Sequence, residues 1–236
     1  MNCLLLIILL LFFIVIIYIC IFCNINIFFN KKFFKEDINN PHLDYRYSKS
    51  NITLSEIHET LIFLLDNFSK YCEKNYIKPI IMHGSLIGYY FNQKILPWDD
   101  DIDIILDENS VKNLVNSEHN INDDILIEIN KNYKNRSKLD FNNRIDARII
   151  SKINGVFIDI TFFYSNNHDE IQAKDGHIYS KSDIYPLKKT KFENSVVYVP
   201  FNIKNCLIRE YGKKVLNNSY ENYIFDTVTK KWNERI

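Results

Sequence analysis

Residues 97–106 read PWDDDIDIIL, so Asp99, Asp100, Asp101 and Asp103 put four carboxylates within five positions before Ile104, Ile105 and Leu106. In an extended strand alternate side chains share a face. Asp99, Asp101 and Asp103 then point one way, and Asp100, Ile102, Ile104 and Leu106 the other. The Cα atoms of Asp101 and Asp103 lie about 6.6 Å apart in that geometry. Two carboxylates at that range repel by roughly 3 kcal/mol at an effective dielectric of about 20. Three states relieve the repulsion: a bound cation, protonation of one carboxyl, or a solvated loop in place of a strand. All-oxygen donors suit a hard cation, Mg²⁺ or Mn²⁺; Mg²⁺ keeps several waters and bridges substrate phosphates. A solvated turn after Pro97 accounts for Asp99 and Asp100 but not for the switch to isoleucine at 102, 104 and 105. A calcium loop of EF-hand type is excluded, because Ile104 stands where the invariant glycine belongs and Ser110 where the bidentate glutamate belongs.

A further carboxylate comes from RIDARIISKINGVFIDITFF (144–163), which reads as two strands joined at Asn154-Gly155. In its second strand Asp159 is alone among Val156, Phe157, Ile158, Ile160, Phe162 and Phe163. Such an aspartate is costly unless it is paired or metal-bound. Pairing with Arg144 or Arg148 across the hairpin is one solution; joining Asp101 and Asp103 in one cation site is the other, and the preferred one. Upstream, KPIIMH (78–83) reads as a strand, followed by Gly84-Ser85 and a helical stretch. Strand, Gly-Ser, helix is an arrangement that offers backbone N–H groups to an anion. The chain has only five glycines, and two of them, Gly84 and Gly88, fall here, so each is expected where the backbone needs freedom.

These segments need a scaffold. Thr53 and Glu56 form a capping-box pattern, and Ile57, Leu61, Leu64, Leu65, Phe68 and Cys72 recur at helical spacing. His58 reads as a surface residue of that helix. Residues Leu4 to Cys23 are apolar without interruption, which at helical rise spans about 30 Å, the thickness of a hydrocarbon core. The run exceeds the apolar region of a secretory signal and lacks its basic and small-residue flanks. The expected organisation is a transmembrane anchor over 1–30, a charged juxtamembrane linker over 31–50 and one soluble domain over 51–236, giving a single-pass membrane protein. Lys31, Lys32 and Lys35 after the span favour a cytosolic domain. Sequons starting at Asn51, Asn67, Asn135 and Asn217 fit a lumenal glycoprotein instead. Only Cys72 and Cys206 lie where a domain disulfide could form, and no cysteine spacing marks a metal or redox site. Acidic and basic residues balance at 29 each, which disfavours nucleic acid as a partner.

Taken in order, Gly84-Ser85-Leu86-x-Gly88, Pro97-Trp98-Asp99-Asp100-Asp101-Ile102-Asp103, Ala147-Arg148 and Gly155-x-Phe157-Ile158-Asp159-Ile160 resemble the LicD/fukutin family. The closing segment 184–212, ending in Tyr211-Gly212, is similar to that family's as well. The resemblance implies an α+β, nucleotidyltransferase-like mixed β-sheet flanked by helices, here preceded by one transmembrane helix. It implies transfer of a phosphorylated alcohol, such as phosphocholine or ribitol phosphate, from a CDP-activated donor to a glycan hydroxyl. Carried over, Gly84 and Ser85 would hold donor phosphate, with Lys94 and Arg148 as further donor contacts. Asp101 and Asp103 would ligate Mg²⁺ or Mn²⁺, with Asp99 an additional acid. Asp159 would complete the metal site or accept the proton of the attacking hydroxyl. Trp98 would pack under the acidic turn. The family's Arg-His pair between Gly88 and Pro97 is replaced by Phe91-Asn92; if that pair contacts the donor, Lys94 replaces it, the donor differs, or activity is impaired. The alternative function is a membrane-tethered pseudoenzyme that binds nucleotide or glycan without turnover.

Overall fold

The computed structural model describes residues 9–19, 21, 32–137, 140–165, 169–173, 176–220 and 222–235. Helix α1 (Leu54–Lys74) opens the main body, and its capping box forms as the sequence requires, Thr53 and Glu56 each satisfying the other's backbone. All six apolar positions of the helical stripe are buried. After it come β1 (Ile80–Ile81), α2 (His83–Asn92), β2 (Asp103–Leu106), α3 (Glu108–Asn116), β3 (Ile125–Ile129), β4 (Ala147–Ser151) and β5 (Phe157–Phe162). The chain continues through β6 (Tyr164–Ser165), β7 (Glu170–Gln172), β8 (Ile178–Ser180), α4 (Lys181–Ile184), β9 (Lys188–Phe192), β10 (Ser195–Val199) and α5 (Ile203–Tyr211). It closes with β11 (Ser219–Tyr220), β12 (Tyr223–Asp226) and β13 (Lys231–Glu234).

The main sheet has seven strands in the order β3-β4-β5-β2-β1-β10-β9. It is mixed: β2 runs parallel to β5 and β1 parallel to β10, whereas the other neighbours are antiparallel. Helix α1 packs on it against β4, β5 and β10. This is the α+β arrangement that the motifs imply. The expected hairpin forms between β4 and β5, with Ser151 and Val156 closing a turn in which Gly155 takes φ +81°. β5 is central, paired with β4 on one edge and β2 on the other, and apart from Asp159 and Thr161 its residues are apolar.

Three expectations change. The strand foreseen over 78–83 is only two residues long, and His83 instead starts α2 with φ +53°. Of the acidic run, Asp103 alone enters a strand, while 99–102 is irregular. Residues 32–50, read as a linker, are folded onto the domain: Phe34 and Leu43 are buried, Leu43 bridges Val156, and the Asp44 N–H donates to the Gly155 carbonyl at 2.8 Å. The physical reason is that two apolar residues and several charges in that segment find partners on β4 and β5, which composition alone does not reveal. Cys72 and Cys206 are both buried and unbridged. Of the expected membrane span, residues 9–19 and 21 are helical with exposed side chains; the remainder, and the cysteines at 3, 20 and 23, lie outside the described residues. Among the described residues no helix is long and apolar enough to cross a membrane.

Candidate active site

The site forms where the N-terminal ends of β2 and α2 meet β5. Parallel pairing of β2 with β5 sets Asp103 opposite Asp159, and antiparallel pairing of β4 with β5 sets Arg148 opposite Asp159. The Asp103 N–H donates to Ser85 Oγ at 3.0 Å, tying the first turn of α2 to the start of β2. Ser85 is therefore buried and already accepts one hydrogen bond, while its own hydroxyl proton is not used by that bond. No side chain caps the N-terminus of α2, so its first-turn N–H groups at Gly84 and Ser85 keep the anion-binding character of a helix start. A methyl group on Gly84 would come to 3.1 Å from Asp99 Oδ2, which places that glycine directly beside the acidic turn. Gly88 has another reason: a Cβ there would lie 2.2 Å from the Lys94 carbonyl oxygen, so it permits close approach of backbone to backbone.

Although the acidic run is not a regular strand, its carboxyls interact as the alternation suggests. Burial, then the Asp101 charge, push the Asp99 carboxyl up to about 9. Asp103 is pushed up to about 8, first by burial and then by the Asp101 charge, with Asp159 and Glu210 adding to it and His83 opposing it. Asp101 is also raised, burial leading and Asp159 adding, while His42 and Asp99 pull the other way. Asp100 Oδ1 accepts from His42 Nδ1 at 2.6 Å. Burial works against a proton on His42, yet Asp101, Asp100 and Asp159 together hold its pKa above the ordinary value. His58, read from sequence as a surface residue, is half-buried, with Nε2 2.6 Å from the Asp99 carbonyl, and so pins the acidic turn to α1.

Asp159 meets both of the partners that its surroundings required. It lies beside Asp103, and it also takes Arg148 on both oxygens, Nε to Oδ1 at 2.5 Å and Nη2 to Oδ2 at 3.3 Å. Arg148 is 3% exposed, bonds Glu36 at 2.9 Å, and lies over the rings of Phe157 (3.7 Å) and Phe34 (4.7 Å). The structure thus places Arg148 as the buried partner of Asp159. Lys94 is exposed, and among the described residues its ammonium has no ion pair with the aspartates. Trp98 packs, stacked on Tyr220 at 5.4 Å and close to Tyr223 and Trp232, which seats the β11–β13 sheet against the acidic turn.

The aspartates offer only oxygen donors, the shell that a hard divalent cation takes; burial, then the Asp101 charge, raises both Asp99 and Asp103. Five residues around them, His83, Tyr179, Glu210, His42 and Glu36, escaped the sequence reading. His83 Nδ1 lies 2.8 Å from Glu210 Oε2, and Tyr179 donates to Glu210 Oε1 at 2.6 Å. Glu210 had a signal: with Ile203, Cys206 and Leu207 it falls on one helical face, so an acid was due on the buried side of α5. His42 and Glu36 had none, since only tertiary packing brings 32–50 here.

A protein-family model described as LicD/FKTN/FKRP, nucleotidyltransferase domain, matches residues 75–202, which contain every aspartate of the site. The chain belongs to this family. Two proteins of Saccharomyces cerevisiae are similar to this LicD-family chain. Mannosyltransferase regulator 4 is 26% identical over 161 residues, 58% of the chain and 13% of the relative. Mannosyltransferase regulator 14 is 30% identical over 118 residues, 45% of the chain and 12% of the relative. An uncharacterized protein of Rickettsia prowazekii is 28% identical over 155 residues, 64% of the chain and 54% of the relative. The LicD-family chain therefore spans about one eighth of the length of the yeast relatives and about half of the bacterial one.

Proposed function

We propose that this LicD-family chain transfers a phosphorylated alcohol, of the phosphocholine or ribitol phosphate kind, from a CDP-activated donor to a glycan hydroxyl. The observation that carries the reading is the group of half-buried carboxyls, Asp99, Asp101 and Asp103, gathered beside the uncapped start of α2, each with its pKa raised, first by burial and then by neighbouring charge. Asp101 and Asp103 hold Mg²⁺ or Mn²⁺, with Asp99 and Asp159 as the adjoining acids. Bound there, the cation supplies charge stabilisation to the phosphoryl oxygens. Gly84 and Ser85 orient the donor phosphate through the first-turn N–H groups and the Ser85 hydroxyl. Arg148 holds both oxygens of Asp159, the residue opposite Asp103 in the β2–β5 pair. His58 and Trp98 keep the turn that carries the aspartates in place. The apolar run Leu4–Cys23 tethers the domain to a membrane, which brings the site to membrane-borne or lipid-linked acceptors.

A second reading, a tethered binder of nucleotide or glycan without turnover, is favoured by two observations: the yeast relatives are named as regulators, and Arg148 holds both oxygens of Asp159. One experiment separates the two. CMP release from a panel of CDP-alcohols is followed with and without Mg²⁺, alongside calorimetric binding of the same compounds. Mg²⁺-dependent CMP release that disappears in Asp101→Asn and Asp103→Asn supports the transferase. Binding without any CMP release across the panel supports the binder.

A further inference from the structure

Beside the aspartates, three other potential ligands come together from three separate parts of the chain. His83 starts α2, His177 ends the loop between β7 and β8, and Glu210 lies in the last turn of α5. Their ligand atoms all lie within 4.8 Å of one another, the one such group of histidine, cysteine and acidic ligands among the described residues. We propose that His83, His177 and Glu210 form a metal site, distinct from the aspartates, that takes a transition ion of the zinc class.

Donor chemistry separates this site from its neighbour. Two imidazoles and one carboxylate match the His₂-carboxylate sets that bind zinc, whereas Mg²⁺ prefers an all-oxygen shell. The glutamate is already oriented: its side chain is 1% exposed, Tyr179 donates to Oε1 at 2.6 Å, and Oε2 is the oxygen turned toward His83. A carboxylate fixed on its far oxygen is the outer-shell support that metal ligands ordinarily receive. The His83 and His177 rings have centroids 5.1 Å apart, and the loop bearing His177 is closed by a 3.1 Å bond from the Ala173 N–H to the His177 carbonyl. His83 adopts φ +53°, a left-handed conformation rare for residues other than glycine, and strained backbone of this kind gathers at ligand sites.

The required movement is small. Tetrahedral ligands at the usual zinc distances stand about 3.3–3.4 Å apart. The 2.8 Å His83–Glu210 pair has to open by roughly 0.5 Å, and the widest separation has to close by roughly 1.5 Å, which side-chain rotation supplies. The consequence is structural: an ion here clamps α5 and the β7–β8 hairpin to the first turn of α2, the turn that carries Gly84 and Ser85 beside Asp103.

The test uses the full chain without an affinity tag, purified in detergent, stripped with a chelator and titrated with Co²⁺ in excess Mg²⁺. One equivalent of Co²⁺ is expected, with visible absorption of a low-coordinate ion, displaced by Zn²⁺. Glu210→Gln and His177→Ala should each weaken binding more than tenfold, and the double variant Asp101→Asn/Asp103→Asn should bind as wild type. Should Glu210→Gln fail to fold, the loop variant His177→Ala decides. No saturable Co²⁺ binding, binding unchanged in His177→Ala, or loss in the aspartate variant overturns the proposal. None of these readouts depends on transferase activity.

Discussion

Replacing Arg148 by methionine tests how the centre of the site is held together. The guanidinium is 3% exposed and neutralises Asp159 and Glu36, whose side chains are 17% and 16% exposed. Methionine keeps much of the side-chain volume between Phe34 and Phe157 but leaves two carboxylates without a counter-charge. Removing one partner of a buried ion pair costs about 3–5 kcal/mol, and loss of the cation over two rings adds about 1 kcal/mol. For a domain of this size each kcal/mol lowers the melting temperature by about 2–4 °C, so a fall of roughly 8–24 °C is expected. The assay is thermal unfolding by near-ultraviolet circular dichroism, on Arg148→Met, Asp159→Asn and the double variant. Because the two residues are bonded, the double variant should lose less than the sum of the single losses, with a coupling of about 1–3 kcal/mol. A loss below about 1 kcal/mol for Arg148→Met, or strict additivity, would refute the reasoning.

Other outcomes follow from the same geometry. Asp99 and Asp103 have pKa values raised in the fold to about 9 and about 8, above the unfolded value of about 4. Between these limits the unfolded chain binds fewer protons than the folded one, so without divalent cations stability is fully present below about pH 4 and falls as pH rises toward about 9. Melting temperatures in chelator should show that fall, and saturating Mg²⁺ should flatten it; a flat profile in chelator contradicts the carboxyl assignment. Asp103→Asn replaces a carboxyl that, with its pKa raised to about 8, must take up a proton on folding at pH 7, so the chelated variant should be more stable than wild type by about 1–3 kcal/mol while losing transfer, read by denaturant midpoint and CMP release. Gly88→Ala would gain about 1 kcal/mol of helix propensity, but its Cβ would stand 2.2 Å from the Lys94 carbonyl oxygen. A net loss of about 1–3 kcal/mol in urea unfolding is expected from the forced backbone shift.

Much of the frame was legible in the chain itself, because local signals and burial agreed. Helix α1 announces its start through Thr53 and Glu56 and its inner face through six apolar positions. The β4–β5 hairpin announces its turn at Asn154-Gly155. The acidic run and Asp159 stand out because charge beside buried isoleucine and phenylalanine is costly without a partner. Which partner Asp159 takes was not legible. Both candidates, Arg148 and the acidic run, are neighbours of the same residue, and only strand order makes them flank it from opposite sides. The same holds for residues 32–50. Their composition resembles a linker, yet Phe34, Glu36 and His42 reach Arg148 and Asp100 through contacts separated by 58 to 114 positions in the chain. Sequence fixes periodicity, caps and turns, which are interactions between near neighbours; it leaves open long-range pairings, whose energy depends on distances set when the sheet closes. The convergence of His83, His177 and Glu210 is of that second kind, decided by where α2, α5 and a hairpin loop come to rest.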